Sequence, residues 1–429
     1  MSKKYKIMIT WCLVLCLFAL MFLVQGCTTN DKTATQGSAE TGVIRMGFIF
    51  SLSGAGSVIG NMQRDAVTLA INQINEQGGV VVNGKKHLIR GVFRDDESKP
   101  DVGARRMREL ARDGIKIVQG GTLANVALAM SEASKEEGVL FMAACAVPSP
   151  FFNKSTKAPY SLAILGNAVS VGRSGATYAL KEYNPKKLVF FLPDYAWGQM
   201  HEEGARQVLA NRPDIDFQVV YSPVGTADLT PYIIKVRDMN PDLVVLGHWG
   251  ADAITALKQV HEMGLQEKTK VMFIWMISVF ATAVEPESID GMKALTFWHH
   301  DMEGFRDQTI VDASNKLVKE WVASIGQPPD AYAMAAWLGV KEMVRGIELA
   351  KNLEPSDVYN ALMKNPDFES PKGPAKWRID GTPMYKYWAF VLEGKGAGER
   401  RDPKWDFGKV LDGYESEEFL VPLKLLGWE

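Results

Sequence analysis

The sequence predicts an α/β fold built as two lobes, each with a parallel-rich sheet. Short apolar, β-prone stretches alternate with helical patterns four times between residues 45 and 143, and the alternation restarts at about residue 167. Units that alternate in this way form parallel sheets with right-handed crossovers. The length of 429 residues also exceeds what one ordinary hydrophobic core accommodates, which favours two lobes.

The first unit of this pattern places a loop at a position suited to ligand binding. Residues 45–50 are mostly apolar and are typical of a buried strand, and residues 51–60 are small and rich in glycine. A helical pattern follows and ends at Gly78 and Gly79. Glycine lets the backbone of such a loop approach a bound molecule closely. In an open α/β sheet the carboxyl end of a strand is the usual place for a ligand site.

The remaining elements follow in order. In the first half, the predicted strands are 87–94, 115–119 and 139–143, with helices at about 100–113 and 125–137. In the second half, the predicted helices are 167–182, 198–210, 230–239, 251–262, 312–325 and 331–351, and the predicted strands are 187–192, 217–222, 243–247, 271–274 and 384–392. From residue 393 onwards, Gly, Lys, Arg, Asp and Trp are frequent, which predicts an extended tail over the surface.

The N-terminus has the pattern of an export signal. Lysines near the start precede an apolar run over residues 7–24. The run ends in Leu-Val-Gln-Gly-Cys, which resembles a bacterial lipobox with Cys27 as the acylated residue. Residues 1–26 are therefore predicted to be a signal peptide, and residues 27–42 a lipid-anchored flexible linker. The alternative is an uncleaved anchor helix, because the run is about long enough to span a bilayer.

Composition and charge exclude several classes of protein. The chain is 47% hydrophobic and 23% charged, with a formal net charge of −2, so nucleic acid is not indicated as a partner. Of the four cysteines, Cys12 and Cys16 lie in the signal and Cys27 would carry the lipid. Only Cys145 remains, so the exported body is expected to have no disulfide and to depend on its hydrophobic core.

Two glycine motifs suggest nucleotide binding, but neither fits. Residues 54–60 follow a strand and open a helix, yet their spacing is one residue too long for a dinucleotide fingerprint, and Asp95 and Asp96 come too late to bind a ribose. Residues 79–85 spell most of a phosphate-binding loop, but Lys86 stands where Ser or Thr should bind magnesium. A turn between a helix and a strand is the simpler interpretation of residues 79–85.

The sequence also lacks a convincing catalytic or metal-binding pattern. His299, His300 and Asp301 are adjacent, but the other histidines show no ligand spacing to them. The carboxylates at residues 95–97 more simply cap the next helix or contact the opposite lobe than act in acid–base catalysis. Cys145 lies among apolar residues, which argues against a reactive thiolate. We therefore expect no enzyme, no cofactor and no metal, and interpret the two lobes as a receptor for a small molecule.

Short motifs in order along residues 43–392 carry a family resemblance. They are residues 45–48, 52–54, 70–75, 95–100, 194–198, 251–253, 263–265 and 331–333. Together they resemble the leucine/isoleucine/valine-binding protein family, the type I periplasmic substrate-binding proteins of ABC transporters. The resemblance implies two Rossmann-like lobes joined by a three-stranded hinge that closes on ligand. By that pattern residues 43–162 and 297–375 form lobe one, and residues 163–296 and 376–429 form lobe two with the C-terminal tail.

The resemblance also implies a ligand site, from which this chain departs at several positions. Ala124 stands near the Ser, and Ala146 or Val147 near the Thr, that bind an α-carboxylate in the family. No carboxylate lies near Trp275, where the family's acid binds the α-amino group, and Trp197 and Trp249 replace tyrosines. An aromatic or weakly polar ligand, or a quaternary ammonium, fits such a cleft better than an ordinary amino acid. The alternative is that these tryptophans are core or surface residues, and that the site uses polar groups at other positions than this alignment gives. The predicted ligand-binding residues are Ser53, Ile59, Leu123, Ala124, Asn125, Cys145, Ala146, Tyr195, Trp197, Trp249, Met276, Ser278 and Trp298.

The implied function is that of an extracytoplasmic solute-binding protein of an ABC importer. It would bind an amino-acid-like, amide or aromatic compound, and would be a monomeric lipoprotein on the periplasmic or extracellular face of a membrane. Its implied partners are a permease with cytoplasmic ATPases and, through lipid on Cys27, the membrane. Two alternatives are a ligand-sensing subunit for a membrane receptor and an exported enzyme that uses Asp95, Asp96 or the pair His299 and His300.

Overall fold

The computed structural model describes residues 42–428 of the chain. The predicted signal peptide and the predicted lipidation site Cys27 lie outside the described residues. Within residues 42–428, no helix is both long enough and apolar enough to cross a membrane.

Strands and helices alternate along most of the described chain. The strands are β1 (Gly42–Phe50), β2 (Val80–Val82), β3 (Lys85–Asp95), β4 (Ile117–Gly120), β5 (Leu140–Ala143), β6 (Ser161–Ala163), β7 (Lys187–Pro193), β8 (Asp216–Ser222), β9 (Leu243–Leu246), β10 (Lys270–Phe273), β11 (Lys293–Thr296), β12 (Asp367–Ser370), β13 (Gly373–Trp377), β14 (Pro383–Tyr385), β15 (Ala389–Gly394) and β16 (Gly408–Tyr414). The helices are α1 (Ser57–Glu76), α2 (Pro100–Arg112), α3 (Ala124–Glu137), α4 (Ala168–Glu182), α5 (Ala196–Leu209), α6 (Thr230–Asp238), α7 (Ala251–Glu262), α8 (Leu265–Lys268), α9 (Ser278–Ala281), α10 (Gln308–Ile325), α11 (Ala331–Ala350), α12 (Pro355–Lys364) and α13 (Ser416–Phe419).

The first sheet has the strand order β2-β3-β1-β4-β5-β6. Its neighbouring strands are parallel, except that β2 and β3 form an antiparallel hairpin. In the central strand β1, Met46, Phe48 and Phe50 are fully buried, and so is Ile49 on the opposite face. Burial on both faces is expected of a parallel strand that helices cover on either side. The hairpin corrects the prediction for residues 79–85, which contain β2 as well as a turn.

The second sheet has the order β16-β15-β11-β10-β9-β7-β8, and a small sheet has the order β12-β13-β14. In the second sheet, β7 to β11 are parallel, whereas β15 and β16 pair antiparallel at one edge. Each large sheet with its helices forms one lobe, so the predicted α/β fold with two lobes is confirmed.

The chain passes between the two large sheets three times. The first crossing follows β6, the second follows β11, and the third joins β14 to β15. After the second crossing, α10 to α12 pack on the first lobe, where the Trp337 indole donates to Gln73 of α1 at 2.8 Å. The first and third crossings are bonded directly, because the Tyr385 hydroxyl donates to the Ile164 carbonyl at 2.8 Å.

Two predictions for the C-terminal region were wrong. Residues 384–392 are two strands, because residues 386–388 carry the chain from the small sheet to the second large sheet. Residues after 393 do not simply cover the surface. They form β16, and Phe407, Phe419 and Leu426 are each less than 4% exposed. Charged residues are frequent between these buried positions, so the sequence showed no strand or helix pattern there.

Candidate ligand-binding cleft

A cavity of about 360 Å³ lies where loops of the two lobes meet. Loops that follow β4 and β5 of the first sheet face loops that follow β7, β8 and β9 of the second. Parallel strands bring such loops together, because their carboxyl ends lie on one edge of each sheet. The lining residues are Ala55, Thr122, Leu123, Ala124, Asn125, Cys145, Ala146, Tyr195, Trp197, Val224, Gly225, Trp249, Gly250, Ala251, Asp252 and Tyr332.

Aromatic side chains form much of the wall and are held in place by hydrogen bonds. The Trp197 indole is 4% exposed, and its Nε1 donates to the Gly247 carbonyl at 3.1 Å. The Trp249 Nε1 donates to the Tyr332 hydroxyl at 3.2 Å. Burial raises the pKa of the phenols of Tyr195 and Tyr332, so both hydroxyls remain protonated at neutral pH. The wall therefore consists of aromatic rings whose polar groups, indole N–H and phenol O–H, are uncharged.

Three helices begin at the cavity without a capping side chain. Leu123 precedes α3, Tyr195 precedes α5 and Gly250 precedes α7, and at none of the three positions does a side chain accept a hydrogen bond from the helix. The first backbone N–H groups of a helix lack partners within the helix, and the helix dipole is positive at this end. Helix starts of this kind can bind an anionic or strongly accepting group.

One carboxylate, that of Asp252, lies on the cavity wall, and none of the described lining residues is Lys, Arg or His. Both carboxylate oxygens of Asp252 accept from the Gly225 N–H, at 3.0 and 3.1 Å. Burial raises the pKa of this carboxyl. This corrects the expectation that the cleft has no acid, because the acid is supplied from the first turn of α7 instead of from the loop after β10.

Eight of the predicted ligand-binding residues line the cavity, and their role in binding remains a prediction. They are Leu123, Ala124, Asn125, Cys145, Ala146, Tyr195, Trp197 and Trp249.

The other five predicted residues lie outside the lining. Ser53 instead bonds Asp95, with its hydroxyl 2.7 Å from Oδ2. Ile59 is buried within α1, and the Trp298 Nε1 donates to Ser314 Oγ at 3.0 Å in the core. Met276 and Ser278 follow β10.

The loop after β10 packs against the hinge. The Trp275 ring lies 5.8 Å from that of Phe297 at the second crossing and 5.4 Å from that of Trp388 at the third. These contacts explain why Met276 and Ser278, which follow directly, do not reach the cavity.

Asp96, His299 and His300, which were considered for catalysis, contact neighbouring parts of the fold. Asp96 accepts from the Ser51 hydroxyl at 2.7 Å and from the Ser98 N–H at 2.8 Å, which shapes the loop after β1. The His299 and His300 rings pack on Phe407, 4.8 and 5.8 Å away. Burial lowers the pKa of both imidazoles. Among residues 42–428, no group of three His, Cys, Asp or Glu side chains is arranged to hold a metal ion.

Asp252 and Tyr332 are the most informative lining residues that sequence reasoning missed. Both were noticed only as parts of family-like motifs, because they lie in the first turns of helices instead of in the loops themselves. Tyr332 also reaches the cavity from α11, far along the chain from the other lining residues. Asp252 lies three residues after Trp249, and this short separation was the one feature of the sequence that could have placed it at the cavity.

Comparison with known proteins gives the family. The model of a family described as "Periplasmic binding protein" matches residues 43–397. This chain belongs to that family. The resemblance to leucine/isoleucine/valine-binding proteins is confirmed by a relative from Brucella melitensis biotype 1, the "Leu/Ile/Val-binding protein homolog 3". It is 23% identical over 391 residues, which cover 87% of this chain and 94% of the relative.

Solved structures of other periplasmic binding proteins share the fold. The amino acid ABC transporter substrate-binding protein from Pseudomonas fluorescens Pf-5 has a TM-score of 0.78 at 22% identity, covering 90% of this chain and 98% of that one. A solute-binding protein of an ABC transporter from Rhodopseudomonas palustris BisB5, in complex with 3,4-dihydroxybenzoic acid, has a TM-score of 0.74 at 18% identity, with coverages of 89% and 99%. Both are described as substrate- or solute-binding proteins of ABC transporters.

Proposed function

We propose that this periplasmic binding protein is the solute receptor of an ABC importer and that it binds an aromatic carboxylate with a hydroxyl donor on its ring. The observation that carries the proposal is the composition of the cavity wall. Trp197, Trp249, Tyr195 and Tyr332 surround a space of about 360 Å³ from both lobes, with Asp252 as the acid among them.

The aromatic walls favour a ring as the body of the ligand. Paired aromatic rings gain about 0.5–1.5 kcal/mol beyond the burial of their area. Trp197 and Trp249 are held by hydrogen bonds to Gly247 and Tyr332, so little side-chain freedom would be lost on binding. An aliphatic chain would gain burial but not this additional term.

The polar groups on the two lobes indicate which chemical group each end of the ligand carries. A carboxylate at the start of α3 would accept from backbone N–H groups at the positive end of the helix. A hydroxyl at the other end of the ring would donate to Asp252, which begins α7 on the second lobe. A hydrogen bond to a charged group contributes about 1.5–3 kcal/mol, or about tenfold to a hundredfold in affinity.

A branched-chain amino acid is the second candidate, and Asp252 is the observation that favours it. Its carboxylate is an acceptor for an ammonium group, while the uncapped helices suit the α-carboxylate. The Brucella relative is named for such ligands. Against this candidate, Asp252 already accepts from Gly225 with both oxygens, and the wall is mostly aromatic.

Thermal-shift titrations of the wild type and Asp252→Asn with benzoate and 3,4-dihydroxybenzoate test the proposal. At about a hundred times its dissociation constant, a ligand adds about 2.7 kcal/mol of stability. We expect Asp252→Asn to weaken 3,4-dihydroxybenzoate about tenfold or more and to leave benzoate unchanged or improved. The matched control is Asp238→Asn, whose exposed carboxylate lies outside the cavity. Failure of both compounds to shift the wild type, with a shift by leucine, would contradict the aromatic ligand.

The importer role rests on the family and on the N-terminal sequence. Lipid on Cys27 would hold the protein at the periplasmic or extracellular face, next to a permease with cytoplasmic ATPases. The competing role is a sensor subunit that reports ligand to a membrane receptor. Deleting the gene should abolish uptake of the ligand by the cell. Normal uptake combined with a lost response to the ligand would support the sensor.

A further inference from the structure

The end of the chain makes an additional connection between the lobes. We call residues 415–428, which follow β16, the C-terminal strap. The strap begins on the second lobe, passes beside the hinge and ends on the first lobe. It lies beyond residues 43–397, which the family model matches.

On the second lobe the strap is bonded to α4. The Arg173 side chain donates its Nε–H to the Phe419 carbonyl at 3.0 Å, and the Val421 N–H donates to Ser170 Oγ at 3.2 Å. The Phe419 ring is fully buried and packs 5.7 Å from that of Trp388. These contacts fix the first half of the strap to the helix that follows the first crossing.

On the first lobe the strap is bonded to the segment between β5 and β6. The Lys154 N–H donates to the Leu426 carbonyl at 2.9 Å, and the Trp428 Nε1 donates to the Phe152 carbonyl at 2.8 Å. Leu426 is 3% exposed, so its side chain is buried in this contact. The final residues of the strap are therefore attached to a different lobe from its first residues.

The strap also contacts residues 378–385, which include β14 and lead into the third crossing. The Arg378 Nη1–H donates to the Val421 carbonyl at 3.0 Å, and the Ser416 hydroxyl donates to the Tyr385 carbonyl at 2.8 Å. Arg378 is itself held by an ion pair with the buried Asp380 at 2.6 Å. The strap is thus packed beside the hinge, against a segment whose Arg378 side chain is fixed by Asp380.

We propose that the C-terminal strap is a fourth connection between the lobes and limits how far the cleft opens. Rotation of one lobe away from the other would separate α4 from the segment 152–154, and the strap is bonded to both. Wider opening of the cleft would break those hydrogen bonds. Leaving their buried donors and acceptors unpaired would raise the free energy of the open form. The strap therefore shifts the ligand-free population towards the more closed lobes. This inference rests on the proposed solute-receptor function, for which the family resemblance implies closure about the hinge, but not on the identity of the ligand.

Small-angle X-ray scattering of the exported, ligand-free protein tests the strap. We compare the wild type with Trp428→Ala and with a chain that ends at Val421. The radius of gyration should increase in both variants, and more in the truncated chain, because the first-lobe anchors are lost. Trp428→Phe keeps a ring but removes the N–H bond to Phe152, so it should give a smaller increase in the same direction.

Leu425→Ala is the matched control, because this neighbouring side chain is 58% exposed. It should leave the radius of gyration at the wild-type value. Wild-type values for Trp428→Ala and for a folded truncated chain would overturn the proposal. If the truncated chain fails to fold, the two Trp428 variants decide the question, since they change one side chain next to the terminus. No ligand is present, so failure here is distinct from failure to bind an aromatic acid.

Discussion

Trp249 and Tyr332 join the two lobes directly at the cavity, with the indole Nε1 of Trp249 donating to the Tyr332 hydroxyl at 3.2 Å. Trp249 follows β9 of the second sheet. Tyr332 begins α11, which is bonded to the first sheet, where Gln119 of β4 donates to the Ala336 carbonyl at 3.0 Å. Two residues that line the candidate cleft therefore also connect the lobes.

Removing this bond should weaken the contact between the lobes. Trp249→Phe and Tyr332→Phe each lose one partner, and each should lower the free energy of unfolding by about 1 kcal/mol. The double variant should lose less than the sum, with a coupling of about 0.5–1.5 kcal/mol, because both changes remove one bond. Urea unfolding of the four proteins measures this coupling, and strictly additive losses would show that the bond contributes nothing.

Trp197 is expected to matter for folding as well as for binding. Its indole is 4% exposed and bonded to Gly247, so Trp197→Ala leaves a cavity and an unpaired carbonyl. We expect a loss of about 3–5 kcal/mol of stability, along with about 1–3 kcal/mol of affinity. Denaturant unfolding and a ligand titration separate the two losses. A fully stable variant would mean that the indole is not packed as described.

Asp330 should make stability depend on pH. It caps α11 by accepting from the Ala333 N–H at 2.8 Å, and burial raises the pKa of its carboxyl to about 6 from an ordinary 3.8. The folded state holds the proton more tightly than the unfolded state, so this group's contribution is fully present below about pH 4 and is lost as the pH rises to about 6.

Asp330→Asn should therefore stabilise the protein by about 1–3 kcal/mol above pH 6 and have little effect below pH 4. The amide resembles the protonated acid and keeps the oxygen that caps the helix. Thermal unfolding between pH 4 and 8 measures the difference. The control Asp330→Ala loses the cap and should be destabilised at every pH. A gain for the amide that does not vary with pH would rule out this ionisation as the cause.

Cys27 should decide how the protein is attached to the membrane. If it is acylated, Cys27→Ala abolishes the lipid, and the protein should move from the membrane fraction to the soluble fraction. Cell fractionation followed by detection of the protein measures this. Continued tight membrane association would instead support an uncleaved N-terminal helix.

Periodicity and composition predicted most of the fold because buried parallel strands of four or more mostly apolar residues, and the helices between them, have strong local signals. The helix predicted at 251–262 has the observed bounds, Ala251–Glu262. Short elements were missed: β6 (Ser161–Ala163) has three residues, too few for a pattern to stand out. β16 (Gly408–Tyr414) was missed because Lys409 and Asp412 interrupt its apolar residues, and because its pairing with β15 depends on the tertiary structure.

The site was predicted in part for the same reason. Loops after β4, β5, β7 and β9 follow recognisable strands, and their residues line the cavity. The loop after β10 also follows a strand, but Trp275 packs on Trp388 at the hinge, which no local pattern indicates. Tyr332 and Asp252 enter the cavity from helix starts, a position that depends on how the lobes face each other.

Isothermal titration calorimetry of the purified wild-type protein with 3,4-dihydroxybenzoate and, in parallel, with leucine shows which class of ligand the cleft binds. We expect saturable binding of the aromatic acid at one site and weaker or no binding of leucine, because the wall around Asp252 is built from Trp197, Trp249, Tyr195 and Tyr332. Tight binding of leucine with no heat from the aromatic acid would contradict this expectation and would make Asp252 the partner of an α-ammonium group.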